Sequence, residues 1–273
     1  MSKPVALTIA GSDSGGGAGV QADLKTYAAL DVYGTSAITA LTAQNTRGVT
    51  AVHNVPARFV TAQIDAVFSD FAVRAVKTGM VSQTDIIEAI AHALDHWNPA
   101  HRVVDPVMVA TSGDVLLAPQ AIEAVRKLLL PRATILTPNL QEAATLLDAP
   151  LAATEQQMEQ QGRQLLAFGP RAVLIKGGHG QSAESVDILV MPNAVARLAA
   201  MRVDTRNTHG TGCTLSAAIA AELAKGGDLE TAVRAAKSYV TAAIAAADSL
   251  GVGGGRGPLH HFHAFERGHG TAR

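Results

Sequence analysis

Short apolar runs rich in Val and Ile alternate along the chain with longer Ala- and Leu-rich segments of helical period. Continuous apolar runs predict strands that are buried on both faces. The predicted strands cover residues 5–10, 35–41, 72–77, 102–108, 133–137, 172–176 and 186–191. The predicted helices cover residues 18–30, 57–71, 85–97, 119–130, 155–168, 212–225 and 229–250.

Strands that alternate with helices are typical of a mostly parallel sheet with helices on both faces. We therefore predict an α/β protein with three layers, helix–sheet–helix. No linker, internal repeat or low-complexity block divides the sequence, so we expect a single domain over residues 1–273. Residues 251–273 are rich in glycine and are predicted to form an irregular tail.

Composition excludes several classes of protein. The chain is 48% hydrophobic but only 4% aromatic, so Ala, Val, Leu and Ile must fill the core. A net charge of −1 without a long Lys/Arg run argues against nucleic acid as a partner. The lone Cys213 cannot form an intramolecular disulfide and fits a reducing compartment. With neither a signal peptide nor a stretch of ~20 apolar residues, we expect a cytoplasmic protein without a membrane segment.

Polar motifs follow the predicted strands rather than being scattered. They comprise Gly11 to Asp13, Gln44 and Asn45, Thr78 to Met80, Asp105 and Pro106, Pro138 and Asn139, and Lys176 to Gly178. Ligands of open parallel α/β sheets bind at the carboxyl ends of the strands. The sequence therefore predicts one active site at that edge, built from all of these motifs.

Residues 207–214, NTHGTGCT, precede a long Ala-rich predicted helix. Two glycines let the backbone N–H groups point outward, and a helix start adds unpaired donors and partial positive charge. The segment is suited to bind an anion such as a phosphoryl group in transfer. The alternative is a glycine-rich helix start that holds a buried cysteine.

Two carboxylates and a lysine are the candidates for phosphate chemistry. Asp105 lies within an otherwise apolar predicted strand, where a charge is costly unless it is paired or meets a cation. Asn139 and Glu142 have the spacing of a capping box, and Glu142 could also hold Mg²⁺ together with Asp105. Lys176 ends a strand before two glycines, where it can reach a phosphate or simply lie at the sheet edge.

Other features carry less weight. The glycine-rich segment 11–19 fits neither a Walker loop nor a dinucleotide fingerprint, which argues against an oxidoreductase. Asp23 could face the site or be solvated. His260, His261 and His263 have no Cys or carboxylate partner at ligand spacing, so we do not predict a metal site in the tail.

Taken together, the motifs resemble those of the hydroxymethylpyrimidine/phosphomethylpyrimidine kinases of thiamine biosynthesis, which belong to the ribokinase-like superfamily. The resemblance spans nearly the whole chain. It is carried by residues 10–23 (AGSDSGGGAGVQAD), 42–45 (TAQN), 77–80 (KTGM), 105–108 (DPVM), 137–142 (TPNLQE), 175–178 (IKGG) and 209–214 (HGTGCT).

The resemblance implies a homodimeric enzyme that uses MgATP to phosphorylate a hydroxymethylpyrimidine and then its monophosphate. It implies that the pyrimidine is bound by Gln44, Gly11, Asp23, Met80 and Val107. It assigns Mg²⁺ to Asp105 and Glu142, and ATP to Lys176, Asn139 and Thr208. It places the reacting phosphoryl group at Lys176, Gly210, Thr211, Gly212 and Cys213.

Cys213 stands where the superfamily usually carries Asp, so it is a candidate base for the hydroxymethyl proton. An ordinary thiol has a pKa of ~8.5, and we expect the helix start to lower it. Three alternatives remain at this point: a pyridoxal kinase, a nucleotide-cofactor oxidoreductase and a non-catalytic ligand-binding protein.

Overall fold

A computed structural model describes residues 2–108, 119–178 and 183–265. The strands are β1 (Val5–Ala10), β2 (Tyr33–Ile38), β3 (Ala40–Asn45), β4 (Gly48–Asn54), β5 (Val73–Thr78), β6 (His101–Val104), β7 (Ile135–Leu136), β8 (Val173–Lys176), β9 (Glu184–Met191) and β10 (Ala194–Met201). The α-helices are α1 (Gly19–Ala29), α2 (Ala57–Phe68), α3 (Thr84–Trp97), α4 (Pro119–Ala124), α5 (Leu140–Leu147), α6 (Glu155–Leu166), α7 (Thr211–Ala224) and α8 (Leu229–Ala245). None of these helices is long and apolar enough to cross a lipid bilayer.

Eight strands form one sheet in the order β10–β9–β8–β7–β6–β5–β1–β2. Within this sheet, the neighbouring strands β2, β1, β5, β6, β7 and β8 pair in parallel. Strand β9 is antiparallel to both β8 and β10. The predicted mostly parallel sheet is therefore confirmed. Its antiparallel end includes β10, a strand that the sequence pattern did not predict, because only Ala196 and Leu198 of its eight residues are buried.

Helices cover both faces of the sheet and separate the core into two parts. One part packs α2, α3, α5 and α6 on the sheet, with Ile64, Ile90, Leu146 and Leu165 buried. The other packs α7 and α8, whose Ala-rich faces lie close against the sheet and against each other. Because α7 is buried on nearly every side, its apolar residues are spread around the whole helix instead of forming one apolar face.

The predicted strand 35–41 is in fact the junction of two elements. β2 ends at Ile38, and β3 turns away to pair with β4 in a separate two-stranded hairpin. Gln44 therefore lies within β3, not after a strand of the main sheet as we predicted. Similarly, β6 ends at Val104, so Asp105 is the first residue beyond the strand.

The described part of the tail contains no helix or strand, and it packs against the rest of the protein. His260 and His261 are buried, and His261 Nε2 lies 3.0 Å from Thr214 Oγ1 at the start of α7. Burial is the main cause that lowers the pKa of His261 to about 4, so the ring is neutral. No group of three His, Cys, Asp or Glu side chains suited to a metal occurs in the described residues. Tail residues 266–273 lie outside them.

Candidate active site

The polar motifs converge at one edge of the sheet. Lys176 ends β8, Asn139 follows β7 and forms a bridge with Lys176, and Asp105 follows β6. Gly79 and Gly11 follow β5 and β1, which come next in the sheet. These five strands are parallel neighbours, so their carboxyl ends form a continuous row. The predicted convergence of the motifs is confirmed for these residues.

Lys176 lies between two carboxylates at the centre of this row. Its Nζ is 2.8 Å from Asp105 Oδ1 and 3.8 Å from Glu142 Oε2. Asp105 is nearly completely buried, and it accepts further hydrogen bonds from Thr137 Oγ1 at 3.1 Å and Ser216 Oγ at 3.1 Å. The cluster therefore holds one flexible cation among fixed oxygen acceptors.

Both predicted roles of Asn139 and Glu142 are compatible with the geometry. The backbone N–H of Asn139 donates to Glu142 Oε2 at 2.7 Å, and the Glu142 N–H donates to Asn139 Oδ1 at 2.9 Å. This capping box starts α5 and fixes Glu142. The carboxylate also accepts a hydrogen bond from the backbone of Met108, so Glu142 is held next to Lys176 from two sides.

The two carboxyl groups differ in their pKa values. Burial would raise the pKa of Asp105, but the charges of Lys176 and Lys77 and the hydrogen bonds from Lys176 and Ser216 bring it below its ordinary value. Burial raises the pKa of Glu142 to about 7; Lys176 opposes this shift and Asp105 adds to it. A second cation near Glu142 would offset the free-energy cost of ionising this buried carboxyl group. The oxygen donors and the excess of negative charge fit Mg²⁺, which commonly binds through one or two carboxylates and substrate phosphates.

The start of α7 faces this cluster. Gly210 has φ +84, and a Cβ there would lie 1.9 Å from the Gly17 carbonyl oxygen, so only glycine fits. A Cβ on Gly212 would lie 3.3 Å from Lys176 Nζ. The N–H groups of Gly212 and Cys213 are in the first turn and have no intrahelical acceptor. An anion at this turn would also be within reach of Lys176.

Cys213 lies in that turn, yet its thiol is not acidic. Burial raises the pKa of Cys213 to about 11; Lys77 lowers it, and Asp23 and Asp105 raise it again. Our expectation of a lowered pKa is therefore wrong, because loss of hydration and two nearby carboxylates outweigh the charge of Lys77 and the backbone hydrogen bond from Gly19. The thiol is protonated near neutral pH.

Three of the residues assigned to the pyrimidine, Gly11, Met80 and Gln44, lie in segments that contact one another. A Cβ on Gly11 would lie 2.4 Å from Met80 Cε, so the two residues are in contact. Gln44 is fixed by Ser14, whose Oγ donates to the Gln44 carbonyl at 2.7 Å and accepts from its N–H at 2.8 Å. Its side-chain Oε1 lies 3.1 Å from Thr42 Oγ1, which leaves the amide N–H₂ to donate.

Val107 and Asp23 differ in how accessible they are. Val107 is half-buried just beyond β6 and lines a small cavity with Asp105, Gly79 and Val81. Asp23 is completely buried, and its carboxylate binds Lys77 Nζ at 2.8 and 3.0 Å and Thr8 Oγ1 at 2.6 Å. Asp23 thus lies behind the site, and its predicted contact with the substrate would require displacement of Lys77.

Comparison with known proteins decides the family. The family model described as phosphomethylpyrimidine kinase matches residues 13–260. The chain belongs to this family.

A hydroxymethylpyrimidine/phosphomethylpyrimidine kinase of Rhizobium meliloti is 59% identical over 96% of this chain and 98% of its own length. The crystal structure of phosphomethylpyrimidine kinase from Clostridium difficile 630 is 46% identical, with a TM-score of 0.78 over 88% of this chain and 98% of that one. Pyridoxal kinase from Staphylococcus aureus in complex with ADP is 34% identical, with a TM-score of 0.89 over 98% and 96% of the two chains. The ribokinase-like fold that the sequence predicted is confirmed, as is its kinase family.

The structure of this phosphomethylpyrimidine kinase family member adds residues that the sequence did not single out. Lys77 forms the buried pair with Asp23, and Ser216 donates to Asp105 from the second turn of α7. Asp13 and His209 form a buried pair, Oδ2 to Nε2, at 2.8 Å. The role of Lys77 could have been predicted from the sequence, since a lysine within an apolar strand is buried and needs an oppositely charged partner. The other three gain their roles only from contacts between distant parts of the chain.

Two residues assigned to ATP or to transfer have structural partners. Thr211 Oγ1 donates to the Thr208 carbonyl at 2.8 Å, which closes the turn before α7. Thr208 is half-buried there. These contacts place both residues beside Gly210 and Gly212, next to where the phosphates would bind.

Proposed function

We propose that the protein transfers the γ-phosphoryl group of MgATP to the hydroxymethyl group of 4-amino-5-hydroxymethyl-2-methylpyrimidine, and then to the resulting monophosphate. The observation that carries this proposal is the approach of Lys176, two carboxylates and the Gly210–Cys213 turn at one edge of the sheet. A protein that only binds a small ligand has no need of such a phosphoryl clamp. The family match argues against an oxidoreductase.

The pyrimidine occupies the space beside Gly11, Met80 and Gln44. Gln44 can donate and accept, as the edge of an aminopyrimidine requires. Met80 packs its polarisable thioether against the ring, and Gly11 makes room for Met80 because a Cβ there would meet Met80 Cε. Val107 lies close to Asp105 and closes the opposite side.

The residues around Asp105 bind and neutralise the phosphates. Asp105 and Glu142 would hold Mg²⁺, with Asn139 beside them. When bound, the ion neutralises charge on the ATP phosphates and orients them. Lys176 contributes its charge to the transferred group, and the N–H groups of Gly212 and Cys213 donate hydrogen bonds to its oxygens as it moves.

In the first reaction, the hydroxymethyl oxygen bonds to the γ-phosphorus while the bond to the β–γ bridging oxygen breaks and ADP leaves. We propose that Cys213 receives the hydroxyl proton. A thiol with a pKa of about 11 is ionised in only ~10⁻⁴ of molecules at pH 7. Its thiolate is correspondingly a strong base. The second acceptor is a phosphate oxygen that is already ionised, so that step needs no base.

We also propose that the enzyme is a homodimer and works in the cytoplasm, where ATP is available. The family resemblance supports the dimer, and the β3–β4 hairpin exposes the apolar side chains of Leu41 and Val52. Light scattering coupled to size-exclusion chromatography would measure the mass. A species near the chain mass of 28.1 kDa at micromolar concentration would contradict the dimer.

A product assay tests the substrate. Purified protein is incubated with MgATP and equimolar hydroxymethylpyrimidine and pyridoxal, and products are followed by mass spectrometry. We expect the pyrimidine monophosphate first and the diphosphate later, with little pyridoxal phosphate. Dominant pyridoxal phosphate would favour the pyridoxal kinase alternative, which is also supported by the structural similarity to the Staphylococcus aureus pyridoxal kinase. That result would keep the kinase chemistry but overturn the roles given to Gln44 and Cys213.

A further inference from the structure

Asp13 organises the glycine-rich segment that follows β1. Its Oδ1 accepts from the Gly15 N–H at 2.8 Å, and its Oδ2 accepts from the N–H groups of Gly17 at 3.0 Å and Ala18 at 2.8 Å. Only 1% of the residue is exposed. One carboxylate thus fixes the path of the backbone between Gly11, at the pyrimidine space, and the start of α1.

A fourth contact of Asp13 crosses to the other end of the chain. His209 Nε2 lies 2.8 Å from Asp13 Oδ2, and His209 is itself buried. Burial would raise the pKa of Asp13, but the hydrogen bond and charge of His209 and the N–H groups of Ala18 and Gly15 bring it below its ordinary value. The carboxylate is therefore ionised at neutral pH and can only accept. It follows that His209 carries its proton on Nε2 and donates it to Asp13.

His209 directly precedes Gly210, the residue at which the anion-binding turn begins. At this point the two glycine-rich segments are in direct contact. A Cβ on Gly17 would lie 2.5 Å from His209 Cδ2, and a Cβ on Gly210 would lie 1.9 Å from the Gly17 carbonyl oxygen. The backbone N–H of His209 also donates to the Gly257 carbonyl at 3.0 Å, which holds the other side of the segment.

We propose that Asp13 and His209 form a positioning pair that fixes the anion-binding turn of α7 against the pyrimidine-binding segment, and that phosphoryl transfer depends on this geometry. The proposal deepens the proposed kinase function and rests on it. Neither side chain contacts the reacting atoms. The pair acts through the direction of the Gly212 and Cys213 N–H groups relative to the acceptor beside Gly11.

The consequence is a selective effect on the rate of transfer. Binding of ATP in the ground state involves many groups, whereas stabilisation of the moving phosphoryl group depends on N–H donors placed to a fraction of an ångström. Loss of the pair should therefore lower kcat and leave the KM values nearly unchanged.

The test compares His209→Ala with His209→Gln, since glutamine can place an N–H donor close to the position of Nε2. We expect His209→Ala to lower kcat by about 10- to 100-fold in both phosphorylations, with both KM values and the Kd of the analogue AMP-PCP within about threefold of wild type. His209→Gln should recover at least a third of kcat. Asp13→Asn should resemble His209→Ala, because its amide N–H₂ would face the N–H donors of Gly17 and Ala18.

A purely structural role has a different outcome. Thr35→Val serves as the control, since it also removes one buried hydrogen bond. That bond runs from Thr35 Oγ1 to the Ala6 carbonyl at 3.1 Å and lies outside the site. Activities are measured well below the Tm of each variant. An unchanged kcat in His209→Ala, an equal loss in His209→Gln, or a loss in Thr35→Val as large as in His209→Ala would overturn the proposal. Should the wild type phosphorylate pyridoxal instead, the same variants are assayed with pyridoxal, so failure of the proposed substrate stays distinguishable.

Discussion

Lys176 Nζ and Asp105 Oδ1 are 2.8 Å apart, although 71 residues separate them along the chain. Lys176 ends β8 and Asp105 follows β6, with β7 between the two strands. The two side chains are 12% and 1% exposed. The pair therefore joins the charge that would neutralise a phosphate to the carboxylate that would hold Mg²⁺.

Replacement of Lys176 tests its role directly. We expect Lys176→Met to lower kcat by about 10²- to 10³-fold, because a buried charge that faces the moving phosphoryl group is lost. The change should also reduce the free energy of unfolding by about 3 kcal/mol or more, since Asp105 and Glu142 remain buried without their cation. Steady-state kinetics and urea denaturation measure the two effects.

Lys176→Met with Asp105→Asn separates stability from catalysis. The double variant should regain much of the lost stability and none of the activity. Arg132→Met is the control, because it breaks the ion pair with Asp95 at the opposite edge of the sheet. Near-normal kcat in Lys176→Met would exclude a part for this lysine in phosphoryl transfer.

Cys213 should matter for only one of the two reactions. We expect Cys213→Ala to reduce kcat of the first phosphorylation by ~10²-fold or more and that of the second by less than ~3-fold, because only the hydroxymethyl acceptor must lose a proton. Each step is assayed separately, with the free pyrimidine or its monophosphate supplied as acceptor. Equal losses in both steps would refute the base assignment and leave Cys213 as a packing residue.

The pKa of Cys213 can be measured by alkylation. With a pKa of about 11, the thiol should react with iodoacetamide ~10²-fold more slowly at pH 7 than an ordinary thiol of pKa ~8.5, and the rate should rise about tenfold per pH unit up to pH 10. The protein in guanidinium chloride is the control. A rate that levels off below pH 8 would contradict the buried, protonated thiol.

Glu142 should make the metal-free protein sensitive to pH. Its pKa is about 7 in the fold and ~4.3 in an unfolded chain, so the folded state binds more protons between these values. Its favourable contribution is present below pH 4 and is lost as the pH rises through 7. The loss amounts to at most about 4 kcal/mol. Denaturation in EDTA at pH 5 and pH 8 measures it.

The variant Glu142→Gln provides the comparison. Glutamine keeps an oxygen that can accept from the Asn139 N–H but does not ionise, so the difference in stability between pH 5 and pH 8 should shrink. An identical pH dependence in both proteins would assign the effect to other groups.

Gly210 tests the fit between the two glycine-rich segments. Gly210→Ala should lower kcat by ~10²-fold or prevent folding, because its Cβ would meet the Gly17 carbonyl and its φ is +84. Gly226→Ala is a matched control with φ +97 and no atom within 4 Å. It should cost about 1 kcal/mol from backbone strain and leave kcat unchanged. Similar kinetics for the two variants would rule out the close contact as the cause.

The sequence by itself determined the layered α/β architecture, since continuous apolar strands between helices can be buried only in a sheet covered on both faces. It also placed Lys176, Asp105, Asn139 and Gly11 at one edge, because parallel strands end on the same side. The capping box of Asn139 and Glu142 followed from local spacing and is confirmed.

Only the tertiary structure decided the features that depend on long-range contacts. The turn of β3 out of the sheet placed Gln44 in a hairpin, and the pairing of Lys77 with Asp23 put that carboxylate behind the site. The contact of His209 with Asp13 spans 196 residues. The pKa of Cys213 likewise depends on how far folding removes water and which charges it brings near. Local pattern encodes the elements and their ends, whereas burial and charge proximity arise only when distant segments pack together.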